Sequence, residues 1–537
     1  MLRFNADVNA IAALRQLYNF AKKLKIDCEK RKHFDAVQSF FDIEDCLEDP
    51  SSDWNDPQAV ATGADHLTFG DLHHRDGAWP PDLLGGWAGS HLLAILTQVC
   101  DRIATSLGSF EPRDWRPRHG PGAVSDQQSG ENKYVFPTWT EKLESVFPFS
   151  EFAFANFGLW ADYVLENGGG FDDEPSSKLI SVPKTQKGPR LIAAEPVAHQ
   201  WCQQIIWDFL EDRVRRIFLG RSITFRDQTG NQVLARLASE TGSHWTVDLS
   251  SASDYLTCWH VERLFRRNPS LLEALSAART VTLRQEIDKK QPSHLKLKKF
   301  STMGSACTFP VQSIFFAALA ISSTLYARGL VVNTANLNKV CTEIQVFGDD
   351  IIIPEDSGEI LADLLGYLGF QINADKTFRS GSFRESCGVE AWMGYDITPA
   401  YVTTMASTRR PESVVSALEQ SNNFFARGWW IASEVLRQTV AVGPWPIVSI
   451  SQGEVGWTSF VGSRCTKKTR YNEKLQRTEY QTMKLSQHSS VVPTNDHTAL
   501  LQFFTEDPSP EVIWMSGVRQ RPRIRLKRGW EDVSKLA

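Results

Sequence analysis

The sequence predicts an α+β protein, from three observations. Short runs of β-branched and aromatic residues, such as 245–249 and 346–353, read as strands. Longer stretches with apolar residues at three- and four-residue spacing read as helices, before, between and after those runs. Glycine and proline clusters separate the two kinds of element. At 537 residues the chain is too long for one simple core and suggests three or four subdomains.

In chain order, Ile11, Leu14, Leu17, Tyr18, Ala21 and Leu24 follow helical spacing, with Asn9 as the cap. The helix runs into Lys22-Lys23-Leu24-Lys25, and Lys30-Arg31-Lys32 follows; such runs are more often solvated faces than nucleic-acid contacts. Acidic residues concentrate in 42–56, which with Pro50 and Pro57 reads as a surface loop. Arg116-Pro117-Arg118-His119-Gly120-Pro121-Gly122 is irregular and fits a phosphate contact or a structural loop equally. Asn167-Gly168-Gly169-Gly170 precedes a strand at 178–182, and Pro196 opens a helix carrying Ile205, Ile206, Phe209, Val214 and Ile217 on one face. Residues 259–276 read as a helix and the Lys-rich 289–299 as a surface hairpin. The longest apolar stretch, 314–327, carries Ser322, Ser323 and Thr324 and falls short of the ~18–20 residues of a membrane span, so it reads as a buried helix. Ile360, Leu361, Leu364, Leu365 and Leu368 make an amphipathic helix stopped by Gly369, and 370–372 a short strand. Helical patterning returns from about Pro411. Arg519, Arg521, Arg523, Arg525 and Lys527 alternate, so a strand would put them on one face, while a disordered tail would only solubilise.

Apolar content of 42% and charged content of 23% are ordinary for a globular protein. The net charge of −5 argues against a polyanion ligand only as a whole-chain sum; clustering of the cations matters more. Nine cysteines without a Cys-x-x-Cys pair indicate neither a zinc site nor a disulfide framework, and reduced thiols in a cytoplasmic protein are the default. The N-terminus lacks signal-peptide patterning.

Two stretches carry chemistry. In Val346-Phe347-Gly348-Asp349-Asp350-Ile351-Ile352-Ile353, two carboxylates follow a glycine at an expected hairpin tip. Charges about 4 Å apart repel by roughly 1 kcal/mol in water and about 4 kcal/mol at an effective dielectric of 20, so a fold that fixes them together calls for a cation. A solvated Gly-Asp-Asp turn explains that stretch alone equally well. The tie breaks at Trp245-Thr246-Val247-Asp248, a buried strand ending in a third carboxylate, followed by a small-residue turn to Asp254. If the strands lie side by side, Asp248, Asp349 and Asp350 converge. Hard oxygen ligands on rigid strands suit Mg²⁺, and two such ions about 3.5–4 Å apart serve in-line phosphoryl transfer. In Pro183-Lys184-Thr185-Gln186-Lys187-Gly188-Pro189-Arg190, three cations on a stiff hairpin suit a triphosphate. Ser301-Thr302-Met303-Gly304-Ser305-Ala306-Cys307-Thr308 combines small residues for close backbone approach with hydroxyls for hydrogen bonds.

Asp248 to Asp254 followed by Gly348-Asp349-Asp350 resembles the paired motifs of viral RNA-dependent RNA polymerases. More closely, Asp248-Leu249-Ser250-Ser251-Ala252-Ser253-Asp254, Met303-Gly304 and Phe383-Arg384-Glu385-Ser386-Cys387-Gly388 look like the replicase catalytic (beta) subunit of the single-stranded positive-sense RNA phages of the Q-beta type. The resemblance covers about 181–401. It implies a right-hand architecture of fingers, palm (a four-stranded antiparallel sheet with packed helices) and thumb. Residues 1–178 would be an N-terminal region partly in the fingers and 179–240 fingers with the basic hairpin. The palm would take 241–258 and 301–400, a fingers insertion 259–300, and the thumb and C-terminal region 401–537.

The implied activity is RNA-dependent RNA synthesis on a viral genome by two-metal nucleotidyl transfer. Asp248, Asp349 and Asp350 would hold two Mg²⁺ ions, with Mn²⁺ an alternative. Lys376 falls where relatives carry a proposed general acid for pyrophosphate. Nucleotide would be bound by Lys184, Lys187, Arg190, Asp254, Thr302, Gly304 and Thr308, and residues 383–388 would form a hairpin gripping the primer terminus. Gln312 departs from the Asn of many relatives. Implied partners are RNA template and product, ribonucleoside triphosphates, host translation elongation factors and a ribosomal protein, with no membrane, in the cytoplasm of an infected bacterial host. A reverse transcriptase would share the palm, although Asp254 suits a ribose 2′-hydroxyl better than an aromatic block. A non-catalytic RNA-binding palm protein would not need all three acids.

Overall fold

The computed structural model describes residues 7–25, 28–71, 87–120, 122–127, 132–185, 188–407, 411–440, 447–448, 456–460, 468–488, 496–505 and 523–532. Among the described residues twelve strands precede residue 400: β1 (Ser177–Thr185), β2 (Gly188–Ala194), β3 (His244–Val247), β4 (Leu249–Ser250), β5 (Thr282–Arg284), β6 (His294–Lys296), β7 (Gln345–Phe347), β8 (Asp350–Pro354), β9 (Gln371–Ile372), β10 (Phe383–Ser386), β11 (Val389–Trp392) and β12 (Tyr395–Asp396). Helices such as Val197–Arg216 and Thr308–Ala327 lie between and around them, giving the α+β class.

Ile351, Ile352 and Ile353 are fully buried, and a continuous apolar run of this kind belongs in the middle of a sheet. β8 accordingly lies between β3 and β7, antiparallel to both, with Val247 opposite Ile351 and Phe347 opposite Asp350. Four strands were expected here, and among the described residues there are three. The fourth place is held by one residue: Thr246 and Phe378 exchange backbone hydrogen bonds of 3.2 and 2.9 Å, and the chain then bends away at 380–382 toward β10. β4 pairs separately with β9.

The second sheet, ordered β2-β1-β5-β6, unites the basic hairpin with the hairpin that follows residue 281. Against the first sheet packs the helix Thr308–Ala327, longer than its apolar run suggested because residues 308–313 join it. By length and composition this helix could cross a membrane, but 94% of its apolar window is buried inside the protein. Its side chains sit in one large core that includes Trp201, Phe209, Phe265, Phe315 and Phe316.

Several local expectations change. The first helix is Val8–Asn19, capped by Asp7 rather than Asn9, because the Asp7 carboxylate accepts the Asn9 N–H at 2.9 Å. Leu14, Leu17 and Tyr18 stay exposed on it while Gln16 and Asn19 turn inward. The acidic 42–56 segment is not all loop: its start completes the helix Lys30–Cys46, and Glu44 is buried. Residues 259–276 form two helices, Cys258–Leu264 and Pro269–Ala277, divided where Asn268 caps and Pro269 starts the second. In the 116–122 loop, Arg118 pairs with Asp208 and His119 packs 4.3 Å from Trp201, which favours the structural reading. The Lys23 ammonium lies 4.1 Å from the Tyr401 ring centroid. The alternating basic stretch is a strand from residue 523, since Arg523–Asp532 pairs antiparallel with Arg477–His488; Arg519 and Arg521 lie outside the described residues.

Candidate active site

Gly348 and Asp349 link β7 to β8. Gly348 takes φ 64°, and a Cβ there would come within 3.1 Å of the Phe309 ring, so both the dihedral and the space call for glycine. Its N–H donates to Ser313 Oγ at 3.0 Å, which pins the turn to the buried helix. Asp350 opens β8, and extending the β3–β8 register by one residue sets Asp248 opposite it. The Asp248 carboxylate accepts from Asn373 Nδ2 at 2.9 Å and from Lys376 Nζ at 3.2 and 3.3 Å.

The three acids feel one another. Burial pushes Asp350 up to about 6, and the charges of Asp349 and Asp248 act in the same direction. Asp349 keeps exposed surface, yet burial at its base and the Asp248 charge raise it too, against Lys376 and Lys184. Burial lowers Lys376, but Asp248 outweighs this and the net shift is upward. The Cys387 thiol, in a β10–β11 turn where Cys387 and Gly388 take φ 46° and 78°, donates to Asp350 Oδ2 at 3.6 Å. The 383–388 hairpin was expected and is present, but sequence reasoning gave no individual role to Cys387, Asn373 or Ser313, whose partners lie far away in the chain.

Among the described residues no three His, Cys, Asp or Glu side chains are closed into a set that could hold a metal ion. Asp248, Asp349 and Asp350 share one electrostatic neighbourhood, and the ammonium of Lys376 occupies Asp248 instead. The donor chemistry nevertheless fits a hard dication: three carboxylates at the ends of adjoining strands, two of them held against ionisation by burial and by their neighbours.

The basic hairpin reaches this neighbourhood. Lys184 sits where the β1–β2 register slips, between Pro183 and Thr185. Burial, Arg190 and Lys376 lower its pKa, while Asp349 and Asp248 oppose them. Arg190 is exposed on β2 opposite Val182, and Lys187 lies outside the described residues. The 301–308 loop packs on the same hairpin: Ala193 N–H donates to the Met303 carbonyl at 2.8 Å. A Cβ on Gly304, at φ 151°, would lie 1.7 Å from the Ala193 carbonyl oxygen, so this position admits only glycine. The loop's hydroxyls turn inward. Thr308 Oγ1 donates to the Thr302 carbonyl at 2.7 Å, Thr302 Oγ1 faces Glu195 at 3.4 Å, and both residues are buried. Asp254, on the short helix Ala252–Tyr255, pairs with Lys299 at 3.0 Å.

A family model described as RNA replicase, beta-chain, matches residues 149–424. The RNA-directed RNA polymerase subunit beta of Escherichia virus Qbeta is 37% identical over 231 residues, 43% of this chain and 36% of that protein. The beta chain of Enterobacteria phage fr is 33% identical over 224 residues, 42% of this chain and 37% of that protein. That of Escherichia phage MS2 is 30% identical over 253 residues, 47% of this chain and 41% of that protein. The chain thus matches well under half the length of each of these relatives. Among solved structures, one titled RdRp complex is similar at 12% identity and TM-score 0.39, over 63% of this chain and 31% of that one. The crystal structure of the RNA-dependent RNA polymerase of a human picorbirnavirus is similar at 13% identity and TM-score 0.34, over 49% of this chain and 55% of that one. The family match spans more than half of the chain and contains Asp248, Asp349, Asp350, Lys184, Lys376 and the 301–308 loop, and on it the chain belongs to the RNA replicase beta-chain family.

Proposed function

We propose that this chain is an RNA-dependent RNA polymerase that copies a phage RNA genome in the cytoplasm of a bacterial host. One observation carries the reading: the β3–β8 register sets Asp248 opposite Asp350, with Asp349 on the adjoining turn and Lys184 and Lys376 acting on the same acids. The names of the family and of the relatives support it. In this reading the palm comprises 241–258 and 301–400, the fingers take 179–240 and 259–300 with part of 1–178, and the thumb lies in 401–537. RNA, ribonucleoside triphosphates, host translation elongation factors and a ribosomal protein are the proposed partners.

Asp248, Asp349 and Asp350 would hold two Mg²⁺ ions, or Mn²⁺, which when bound neutralise charge on the reacting oxygens of an in-line displacement. Lys184 and Arg190, with Lys187 from the same hairpin, bind the triphosphate and face the charge that leaves with pyrophosphate. Lys376 keeps its proton because Asp248 holds it, and releases it at Nζ to the leaving pyrophosphate. Asp254 accepts the ribose 2′-hydroxyl. Gly304 brings backbone close to the nucleotide, and Thr302 and Thr308 act through the shape of the loop their hydroxyls brace.

The test is extension of an RNA primer on an RNA template by the purified chain with Mg²⁺ and either ribo- or deoxynucleotides. Template-dependent ribonucleotide addition is expected. Equal or preferential DNA synthesis would make the chain a reverse transcriptase, and template binding without extension a non-catalytic palm protein.

A further inference from the structure

Lys299 is fully buried, and its ammonium is shared by two carboxylates, 3.0 Å from Asp254 Oδ1 and 3.2 Å from Glu44 Oε2. It also lies over the Phe40 ring, 3.5 Å from the centroid. Glu44, itself buried, accepts the Lys299 N–H at 3.1 Å and the Lys298 N–H. The three charged groups come from separate parts of the chain: the helix Lys30–Cys46, the helical turn after β4, and the segment that leads into the 301–308 loop. A buried ammonium persists only while its carboxylates face it, so the position of Lys299 dictates the orientation of Asp254. Among the described residues Asp254 accepts through Oδ1 alone, and its side chain keeps 19% exposure. One oxygen is locked inward, and part of the side chain keeps its exposure.

We infer that Lys299 is a positioning residue for sugar selection: it holds Asp254 in the orientation that accepts a ribose 2′-hydroxyl, while Glu44 of the N-terminal helix balances the buried charge of Lys299. The inference rests on the proposed polymerase reading and its assignment of Asp254. It ties the N-terminal helix, outside the family match, to the stability of the buried group that carries Lys299. It also explains why the Lys-rich segment before the loop ends in a buried residue while Lys296 stays exposed.

The experiment measures the ratio of ribo- to deoxynucleotide incorporation efficiency in single turnover, on one RNA primer–template, with melting temperatures recorded alongside. Asp254→Ala should lower the ratio about tenfold, as losing a buried polar contact does. Lys299→Met should lower it about equally. Glu44→Gln removes a charge from the same buried group but keeps the Lys299–Asp254 pair, so its ratio should stay within about twofold of wild type although its melting temperature falls. If Lys299→Met does not fold, the double variant Glu44→Gln, Lys299→Met removes the stranded charge and carries the same expectation of a lowered ratio. A full ratio in the Lys299 variant together with a lowered one in Asp254→Ala overturns the inference and leaves the polymerase reading standing. A ratio that falls in Glu44→Gln and Lys299→Met alike, in step with melting temperature, also overturns it. A full ratio in Asp254→Ala overturns the inference together with the sugar-facing assignment beneath it.

Discussion

Asp350 is half-buried beside Asp349 and opposite Asp248, and its carboxyl is pushed from 3.8 up to about 6. The sign of the resulting stability change follows from the two states. Below the ordinary carboxyl range the group is neutral folded and unfolded, and it contributes nothing. As pH rises from about 4 to about 6 the unfolded chain ionises more readily, so the folded state loses stability, and the loss persists at neutral pH. The shift corresponds to about 2–3 kcal/mol. Asp350→Asn should therefore raise the melting temperature of metal-free protein at pH 7.5 and leave it nearly unchanged near pH 4. Mg²⁺ should stabilise the wild type more than the variant, because a ligand that binds only the folded state shifts the melt by mass action. Equal melting of the two proteins at pH 7.5 without metal would remove the charge penalty from the account. Gly304 makes a steric prediction: Gly304→Ala, meeting the Ala193 carbonyl, should cost on the order of 2 kcal/mol or more in denaturant unfolding, and an unchanged midpoint would show that the loop can move off β2.

At the scale of elements, the basic hairpin and the 301–308 loop form one unit, joined at Ala193 and Met303. Lys184 and Arg190 should then act on the incoming triphosphate more than on the template. Arg190→Ala should lower single-turnover incorporation by about tenfold or more while template affinity in filter binding changes by less than about threefold. Equal losses in both would make the hairpin a general RNA-binding patch. Much at this scale was legible in the sequence. The Gly-Asp-Asp turn, the strand ending at Asp248 and the helix stopped by Gly369 depend on local rules of periodicity and backbone freedom, and the structure has them. The missed features depend on distant partners. Nothing in 42–56 announces that Glu44 meets Lys299, and hydroxyls in a small-residue loop read the same whether they face a ligand or, as Thr302 and Thr308 do, the protein. Asp7 displaced Asn9 as the cap because either residue type can cap, and only the position of the first turn decides.

At the scale of the whole molecule, a net charge of −5 coexists with a site where cations meet acids: Lys184 and Lys376 act on Asp248 and Asp349, and Arg190 lies near Lys184. The sheet β3-β8-β7 and the buried helix beneath it set the acids in place, and the second sheet carries the cations toward them. In the proposed function this juncture is a metal-dependent nucleotidyl-transfer centre. The most direct measurement is Mg²⁺-dependent single-nucleotide incorporation by the wild type and by Asp349→Ala, with RNA binding and melting temperature measured on the same samples. The variant should fold, bind RNA within about threefold of wild type and lose incorporation by about a thousandfold or more if the three acids hold the metal. Near-normal incorporation by Asp349→Ala would contradict that role.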